Sequence, residues 1–300
     1  MKVDIGICTF RRSTLFDTLE TISTQVLPPD VSVNVIVVDN DEQSLIKETV
    51  QASINALGLS GKYVFAPKFN ISIARNACLD AATGDVLVFI DDDELANPDW
   101  LARFVEAYNT TDAGVIFGPT RATYPDHAPA WMKAIQPHSN QPMPRNGVVE
   151  TGFSGNVLLD RSCLALNSLR FDEAFGKTGG EDVDFFFRAS RAGVPMAICL
   201  DAIVDEPVTP PRMSLRWLLR RKHAVGKIYG HCTLDGRGKS RVALFGVATL
   251  KCAYCVTRSA MTALSKERSI FWLLRGAMHA GVISGSLSRP SRQAYGIANP

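Results

Sequence analysis

Residues 85–94 read Asp-Val-Leu-Val-Phe-Ile-Asp-Asp-Asp-Glu: five apolar side chains, Val86 to Ile90, run straight into four acids, Asp91 to Glu94. An unbroken apolar run of this length predicts a strand buried on both faces, since a strand with one wet face would alternate. Working outward, residues 3–8 (VDIGIC) and 31–38 (VSVNVIVV) predict two more central strands, and Tyr63–Phe65 a short one. Between them the pattern turns helical: Ser13, a plausible N-cap, through Gln25; residues 43–57, ending before Gly58; and Ser72–Ala82, closed by Gly84. Pro98 opens a further helix at its first turn. Strands alternating with helices predict an α/β fold: a mainly parallel sheet with helices on both faces.

The rhythm breaks at Gly118. Residues 119–147 hold six prolines and little periodicity, too long a stretch for a passive connection. Beyond it the sequence predicts a strand near 155–160, a turn at Gly179-Gly180, a helix from about Asp182 to Ala192 and a last strand over 196–204. Basic and apolar helices follow at Ser214–Tyr229 and near 240–265 and 269–287.

A chain of 300 residues with 46% hydrophobic and 21% charged residues is an ordinary globular protein, which excludes whole-chain disorder, collagen and coiled coil. The net charge of +2 conceals a split. From Arg212 onward there are sixteen Lys and Arg against two acids, Asp235 and Glu267; residues 1–211 carry 16 basic and 28 acidic residues. This predicts a catalytic body over 1–211 and a basic helical region over 212–300 that meets something anionic: a membrane surface, a lipid phosphate or a nucleic acid. Seven irregularly spaced cysteines suggest a reducing compartment rather than a disulfide framework. The short apolar run at the N-terminus, broken by Asp4, reads as a strand and not a signal peptide. No apolar run reaches transmembrane length.

In an open parallel sheet, ligands bind beyond the carboxyl ends of the strands. Asp39 and the Asp91–Glu94 cluster both stand at such ends. Adjacent carboxylates repel unless solvated or bound to a cation, and hard oxygen ligands suit Mg²⁺ or Mn²⁺ shared with a diphosphate. A solvated turn with helix-capping acids is the alternative.

Six segments then carry a resemblance: Ile5–Arg11 (IGICTFR), Val37–Asn40 (VVDN), Ser72–Asn76 (SIARN), Phe89–Asp93 (FIDDD), Gly152–Asn156 (GFSGN) and Gly180–Asp184 (GEDVD). In this order they resemble family 2 glycosyltransferases of GT-A fold, over roughly residues 3–230. Asn70–Asn76 (NISIARN), Gly179–Phe186 (GGEDVDFF) and His279–Gly285 (HAGVISG) look like the bacterial exopolysaccharide, succinoglycan-type glucosyltransferases. The resemblance implies that Asp39 recognises the nucleobase and that Thr9, Arg11 and Arg75 line the nucleotide pocket. It implies that Asp91 stands near the ribose as the first carboxylate of a D-x-D motif. Asp92 is the variable middle position, and Asp93 holds the metal on the diphosphate. Asn70 departs from the Gly common in relatives, but Asn tolerates the left-handed backbone such a turn needs.

The same resemblance implies that Asp182, the second acid of Glu181-Asp182, is the catalytic base of an inverting transfer; a helix N-cap with an acidic first turn is the competing reading. It places Gly155 and Asn156 in a loop beneath the donor sugar. Trp131 is read as a ring for stacking on a sugar or as a packing anchor. His127 and His138 are read as surface residues. Arg220, Arg221 and Lys222, on a helix with Trp217, are candidates for contacting a diphosphate, with a solvated charged face as the alternative. Residues 242–257 and 269–287 read as interfacial helices, with packing against the catalytic domain as the alternative. Cys252 and Cys255, a lone C-x-x-C, read as core thiols rather than a zinc site.

The expectation is a metal-dependent, inverting glycosyltransferase. It moves a sugar, glucose first, from a UDP-sugar to a lipid-diphosphate-linked oligosaccharide in exopolysaccharide assembly. It is cytoplasmic, held peripherally at the inner face of the plasma membrane, and binds no nucleic acid. Two other classes compete: a metal-dependent phosphohydrolase, disfavoured because Ile7-Cys8-Thr9 stands where a nucleophile motif belongs, and a non-catalytic nucleotide-sugar or nucleic-acid binder, which needs no base.

Overall fold

The computed structural model describes residues 1–144, 147–234 and 240–287. They fall into two compact units: Met1–Arg121 with Asn140–Glu206, and Ala122–Ser139 with the described residues from Pro207 onward. In chain order the elements begin β1 (Lys2–Thr9), α1 (Leu15–Ser23), β2 (Ser32–Asp39), α2 (Lys47–Ala56), β3 (Gly61–Phe65), α3 (Ile71–Ala81) and β4 (Val86–Ile90). Then come β5 (Leu95–Ala96), α4 (Trp100–Thr110), β6 (Val115–Phe117), β7 (Thr120–Thr123), α5 (Ala130–Ile135), β8 (Asn156–Asp160) and α6 (Leu164–Asn167). The chain continues through α7 (Glu181–Arg191), β9 (Met196–Ile198), β10 (Val204–Pro207), α8 (Leu215–Leu234), α9 (Arg241–Met261) and α10 (Lys266–Leu287).

Seven strands form one sheet in the order β3-β2-β1-β4-β8-β6-β9, and β5, β10 and β7 form a small second one. The first four strands of the large sheet are parallel, β8 runs antiparallel to β4 and β6, and β9 is parallel to β6. Alternate side chains explain why the central strands are apolar throughout. Val35, Val37, Val86, Val88 and Ile90 join one core, under α1 and α4, with Trp100 and Phe104. Ile36, Val38, Leu87 and Phe89 join the other, under α3 and α7, with Phe185 and Phe186. The register sets Thr9 beside Asp39, and Ile90 opposite Asn156. The carboxyl ends of β1, β2 and β4 therefore open at one edge.

Two expectations change. The strand expected over 196–204 is two: β9 closes the large sheet and β10 pairs with β5, the chain turning between them where Ile203 N–H donates to the Asp201 carbonyl. The Pro-rich stretch is not wholly irregular, since it holds β7 and α5.

In the second unit, α8 and α10 approach closely enough to need glycine. A Cβ on Gly281 would collide with the His223 carbonyl oxygen, and one on Gly226 with that of Met278. Trp131 and Met132 of α5 pack with Leu218, Ile270 and Leu274. His138 is not a surface residue: its Nδ1 meets the Tyr124 hydroxyl at 2.9 Å, its Nε2 meets the Arg212 carbonyl at 3.2 Å, and its ring stacks on Trp217. Among the described residues, no helix is long and apolar enough to cross a membrane.

Candidate active site

The site grows from the ends of three parallel strands in the first unit. At the end of β1, Thr9 is buried and its hydroxyl donates to Asp92 Oδ2 at 2.8 Å. The next residues turn sharply, with Arg11 in the left-handed region at φ 54°. Arg11 grips Asp41 through two bonds of 2.7 and 2.8 Å and lies over the rings of Phe10 and Phe69. That bidentate pairing holds the Asp41 carboxyl below the usual carboxylate range.

Asp39, at the end of β2, is 1% exposed. It accepts from the Tyr63 hydroxyl at 2.7 Å and from the Asp41 amide at 3.0 Å. Burial pushes the Tyr63 phenol up to about 12, so it stays a donor to Asp39. Each carboxylate oxygen keeps a further lone pair for a ligand.

After β4 the chain turns back on itself. Glu94 is buried, accepting from the Asp91 amide at 3.0 Å and from the Thr120 hydroxyl at 2.9 Å. Burial and the nearby Asp91 carboxylate raise its pKa well above the ordinary value. Glu94 is thus the internal brace of the acidic turn. Gly155 passes so close to this turn that a Cβ would stand 2.8 Å from Asp91 Oδ2 and 3.0 Å from Glu94 Oε1. Asp91 itself has a side chain 44% exposed and faces Arg75 Nη2 at 3.7 Å. Although the side chain is partly exposed, loss of solvation in the crowded turn raises its carboxyl, Arg75 draws it back, and Asp93 adds repulsion. Burial pushes Asp92 up to about 7 against the pull of Arg12.

Arg12 went unnoticed in the sequence, although an Arg-Arg pair directly after a strand was the available signal. Its guanidinium reaches Asp92 Oδ1 at 3.1 Å and pairs with Asp93. Burial lowers its pKa, but Asp92 and Asp93 together raise it above the usual value.

α3 delivers Arg75 into the same cluster. Asn70 starts this helix, but not as expected: it is extended, at φ −146°, and its side chain caps the Ser72 and Ile73 amides at 3.0 and 3.3 Å. In this turn the residues with positive φ are Lys68 and Phe69, not Asn70. Arg75 is buried, lies over Phe171, and pairs through Nη1 with Glu181 Oε1. Burial by itself lowers its pKa, yet Glu181, Asp91 and Asp182 hold it charged. Two left-handed glycines, Gly179 and Gly180, turn the chain into α7, so that Glu181 and Asp182 form its first turn. Asp182 Oδ1 accepts from the Val183 amide at 2.7 Å. Glu181 Oε2 and Ser154 Oγ are buried with no hydrogen-bond partner among the described residues.

Two sets of contacts therefore meet at the Asp91-Asp92 peptide: Thr9, Asp92 and Asp93 around Arg12, and Asp91 and Glu181 around Arg75, with Gly155 close against Asp91. Asn156 departs from its expected place beneath a sugar. Its amide accepts from Trp100 Nε1 at 2.9 Å and donates to the Pro119 and Ala202 carbonyls at 3.0 and 2.8 Å, so it is consumed in holding the sheet together. In the second unit, Trp131 is 7% exposed within its apolar cluster, while Arg220 and Arg221 are exposed on α8. Cys255 is buried, and Cys252 Sγ points at the Gly276 carbonyl, as core thiols do.

The donor set at the acidic turn is oxygen only, and its crowded carboxylates are met by the guanidiniums of Arg12 and Arg75. A divalent cation fits that imbalance. Among the described residues no three His, Cys, Asp or Glu side chains are set to hold a metal by themselves. A metal here would take its remaining ligands from its substrate.

A mixed, mostly parallel sheet with carboxylates massed at the open ends of its parallel strands is the architecture of the GT-A fold. The structure superposes on the Pyrobaculum calidifontis mannosyltransferase PcManGT, solved with GDP-Man and Mn²⁺, with a TM-score of 0.63 at 18% identity, covering 94% of this chain and 86% of that one. It also matches S. aureus TarS 1-349 solved with UDP-GlcNAc, with a TM-score of 0.54 at 13% identity over 96% and 91% of the two chains. The family model of glycosyl transferase family 2 matches residues 4–165, and the chain belongs to that family. It is 38% identical over 297 residues to the succinoglycan biosynthesis protein ExoM of Rhizobium meliloti (strain 1021), covering 99% of this chain and 96% of that one. A shorter stretch of 123 residues is 31% identical to a glucosyl-dolichyl phosphate glucuronosyltransferase of Haloferax volcanii, covering 40% of this chain and 38% of that one.

Proposed function

We propose that the enzyme is an inverting, metal-dependent transferase that moves glucose from UDP-glucose to a lipid-diphosphate-linked oligosaccharide in exopolysaccharide assembly, working peripherally at the cytoplasmic face of the membrane. The observation that carries this reading is the convergence of Arg75, Asp91 and Glu181 beside Asp182. It sets a fixed cation and a candidate base side by side at the strand ends, where a GT-A fold takes its donor. The near full-length similarity to the succinoglycan biosynthesis protein ExoM supports a place in exopolysaccharide assembly.

Asp39 and Arg11 line the nucleotide end, with Asp39 offering its free lone pairs to the base. Asp93, with Asp91 beside it, would hold Mg²⁺ or Mn²⁺, which would supply positive charge against the departing diphosphate. Arg75 adds a fixed positive charge that costs no reorganisation as the sugar–phosphate bond breaks. Gly155 lets the loop beneath the sugar lie against Asp91, where a Cβ would collide. Asp182 takes the proton of the acceptor hydroxyl as its oxygen attacks the anomeric carbon. The C1–O bond breaks on the opposite face, UDP leaves with the bonding pair, and an α-linked donor yields a β-linked product. Arg220 and Arg221 are the exposed cations offered to the acceptor's diphosphate.

The test is calorimetric binding of UDP, with and without Mn²⁺, to wild type and Asp93→Ala, followed by turnover of a panel of UDP- and GDP-sugars over membrane extract as acceptor source. The reading expects UDP binding strengthened by metal in wild type only, and UDP-glucose consumed fastest. Absence of UDP binding, or preference for a GDP-sugar, would sink it.

A further inference from the structure

α9 wears its apolar surface on the side where a helix in water carries charge. Of its 21 residues only Ala248 and Cys255 are buried. Seven residues apart, they mark one face, which packs on α10 where a Cβ on Gly276 would touch Cys255. At 3.6 residues per turn, the opposite face holds Val242, Leu250 and Met261, and continues to Leu264 past the helix end. These four are 80%, 74%, 71% and 107% exposed, with Tyr254 beside them at 56%. A surface helix ordinarily turns such residues inward and its charges outward. α9 carries no acid; of its three cations, Lys251 is exposed beside Leu250, Arg241 is exposed at the start of the helix, and Arg258 is half-buried over the Trp272 ring. α10, which the sequence marks as equally interfacial, differs: Ile270, Leu274 and Val282 are buried, and Gly281 and Gly285 are engaged by α8.

We propose that the outward face of α9 is the surface by which this enzyme docks on an anionic bilayer, Leu250 and Met261 entering the headgroup–acyl boundary while Lys251 beside them meets lipid phosphates. Apolar insertion and cation attraction together are what an in-plane interfacial helix requires, and the absence of acids makes the charge complementarity one-sided. The occupant is thus a lipid surface: the exposed charges of α9, Arg241 and Lys251, are cations, and an anionic bilayer supplies the opposite charge that a second copy of this helix, itself without an acid, does not. The inference rests on the reading of the acceptor as lipid-linked and names the contact that brings the enzyme to it.

The test is co-sedimentation of the full chain with vesicles of phosphatidylcholine plus phosphatidylglycerol, and of phosphatidylcholine alone. Wild type is compared with Leu250→Glu, Met261→Glu, the double variant and the mild Leu250→Ala. Binding is expected only to the anionic vesicles and weakened by salt. Affinity is expected to fall about tenfold for each large side chain withdrawn, with a smaller fall for Leu250→Ala. Melting temperature and UDP affinity are expected to stay unchanged, because the positions are exposed. The proposal is overturned if wild type ignores anionic vesicles, or if the double variant binds them as well as wild type. It is equally overturned if wild type is a dimer that the double variant splits, since a second copy would then own this face. Failure of the glycosyltransferase reading would show separately, as wild type that binds vesicles but no UDP.

Discussion

Replacing Arg75 by Met probes the centre of the site. Met keeps an apolar stem over Phe171 but removes the guanidinium that answers Glu181 and Asp91. The side chains of Arg75 and Glu181 are each 8% exposed, so water does little to solvate the carboxylate left behind. Removing one partner of such a buried pair costs about 3–5 kcal/mol. At about 2–4 °C per kcal/mol for a cooperative unit of this size, melting should fall by roughly 6–20 °C. Glu181→Leu alone leaves Arg75 with Asp91 and should cost less. In the double variant both charges are gone, and burying two apolar side chains in their place is close to neutral. The double variant should therefore melt well above Arg75→Met. Urea denaturation of the metal-free, nucleotide-free protein, run as a double-mutant cycle, reads the coupling directly, and a coupling of at least about 2 kcal/mol is expected. If the two single effects simply add, Arg75 and Glu181 do not act as a closed buried pair, and the cluster's geometry is misread.

Arg12→Gln frees Asp92 and Asp93 from a guanidinium that occupies their cation-facing side, so Mn²⁺ affinity without nucleotide, followed by electron paramagnetic resonance, should rise several-fold over wild type; unchanged affinity would contradict the competition. Gly281→Ala drives a methyl into the His223 carbonyl and should destabilise the second unit by about 1–3 kcal/mol, seen as earlier loss of helical circular dichroism. Burial lowers the His138 pKa, so its neutral form belongs to the folded state. The stability it contributes is intact above the unfolded histidine value of about 6.5 and is lost as pH falls through the lower folded value. Urea midpoints of wild type should therefore drop on acidification through this window more than those of His138→Gln.

What the sequence disclosed, and what it withheld, follows from range. β4 was legible because both its faces are buried, leaving five apolar residues in a row before the acids. Gly179 and Gly180 announced the turn into α7 because only glycine takes left-handed backbone there without strain. β6 was not legible: three residues carry no period, and they become a strand only by pairing with Val157–Leu159, some forty residues on. Asn156 shows the same limit, for nothing local says that its amide will join Trp100, Pro119 and Ala202. Arg12 was hidden because its carboxylates lie 80 residues away. The position of Asn70 misled, since Asn serves both left-handed turns and helix caps, and here the cap won.

The account stands most directly on Asp182, and transfer from UDP-glucose by Asp182→Asn, measured beside its UDP affinity, is the measurement that tests it. The amide keeps the size of the carboxylate but accepts no proton, so UDP should bind as in wild type while transfer falls by about 10²–10⁴-fold. Transfer at the wild-type rate would show that another group takes the proton and that the first turn of α7 only caps its helix.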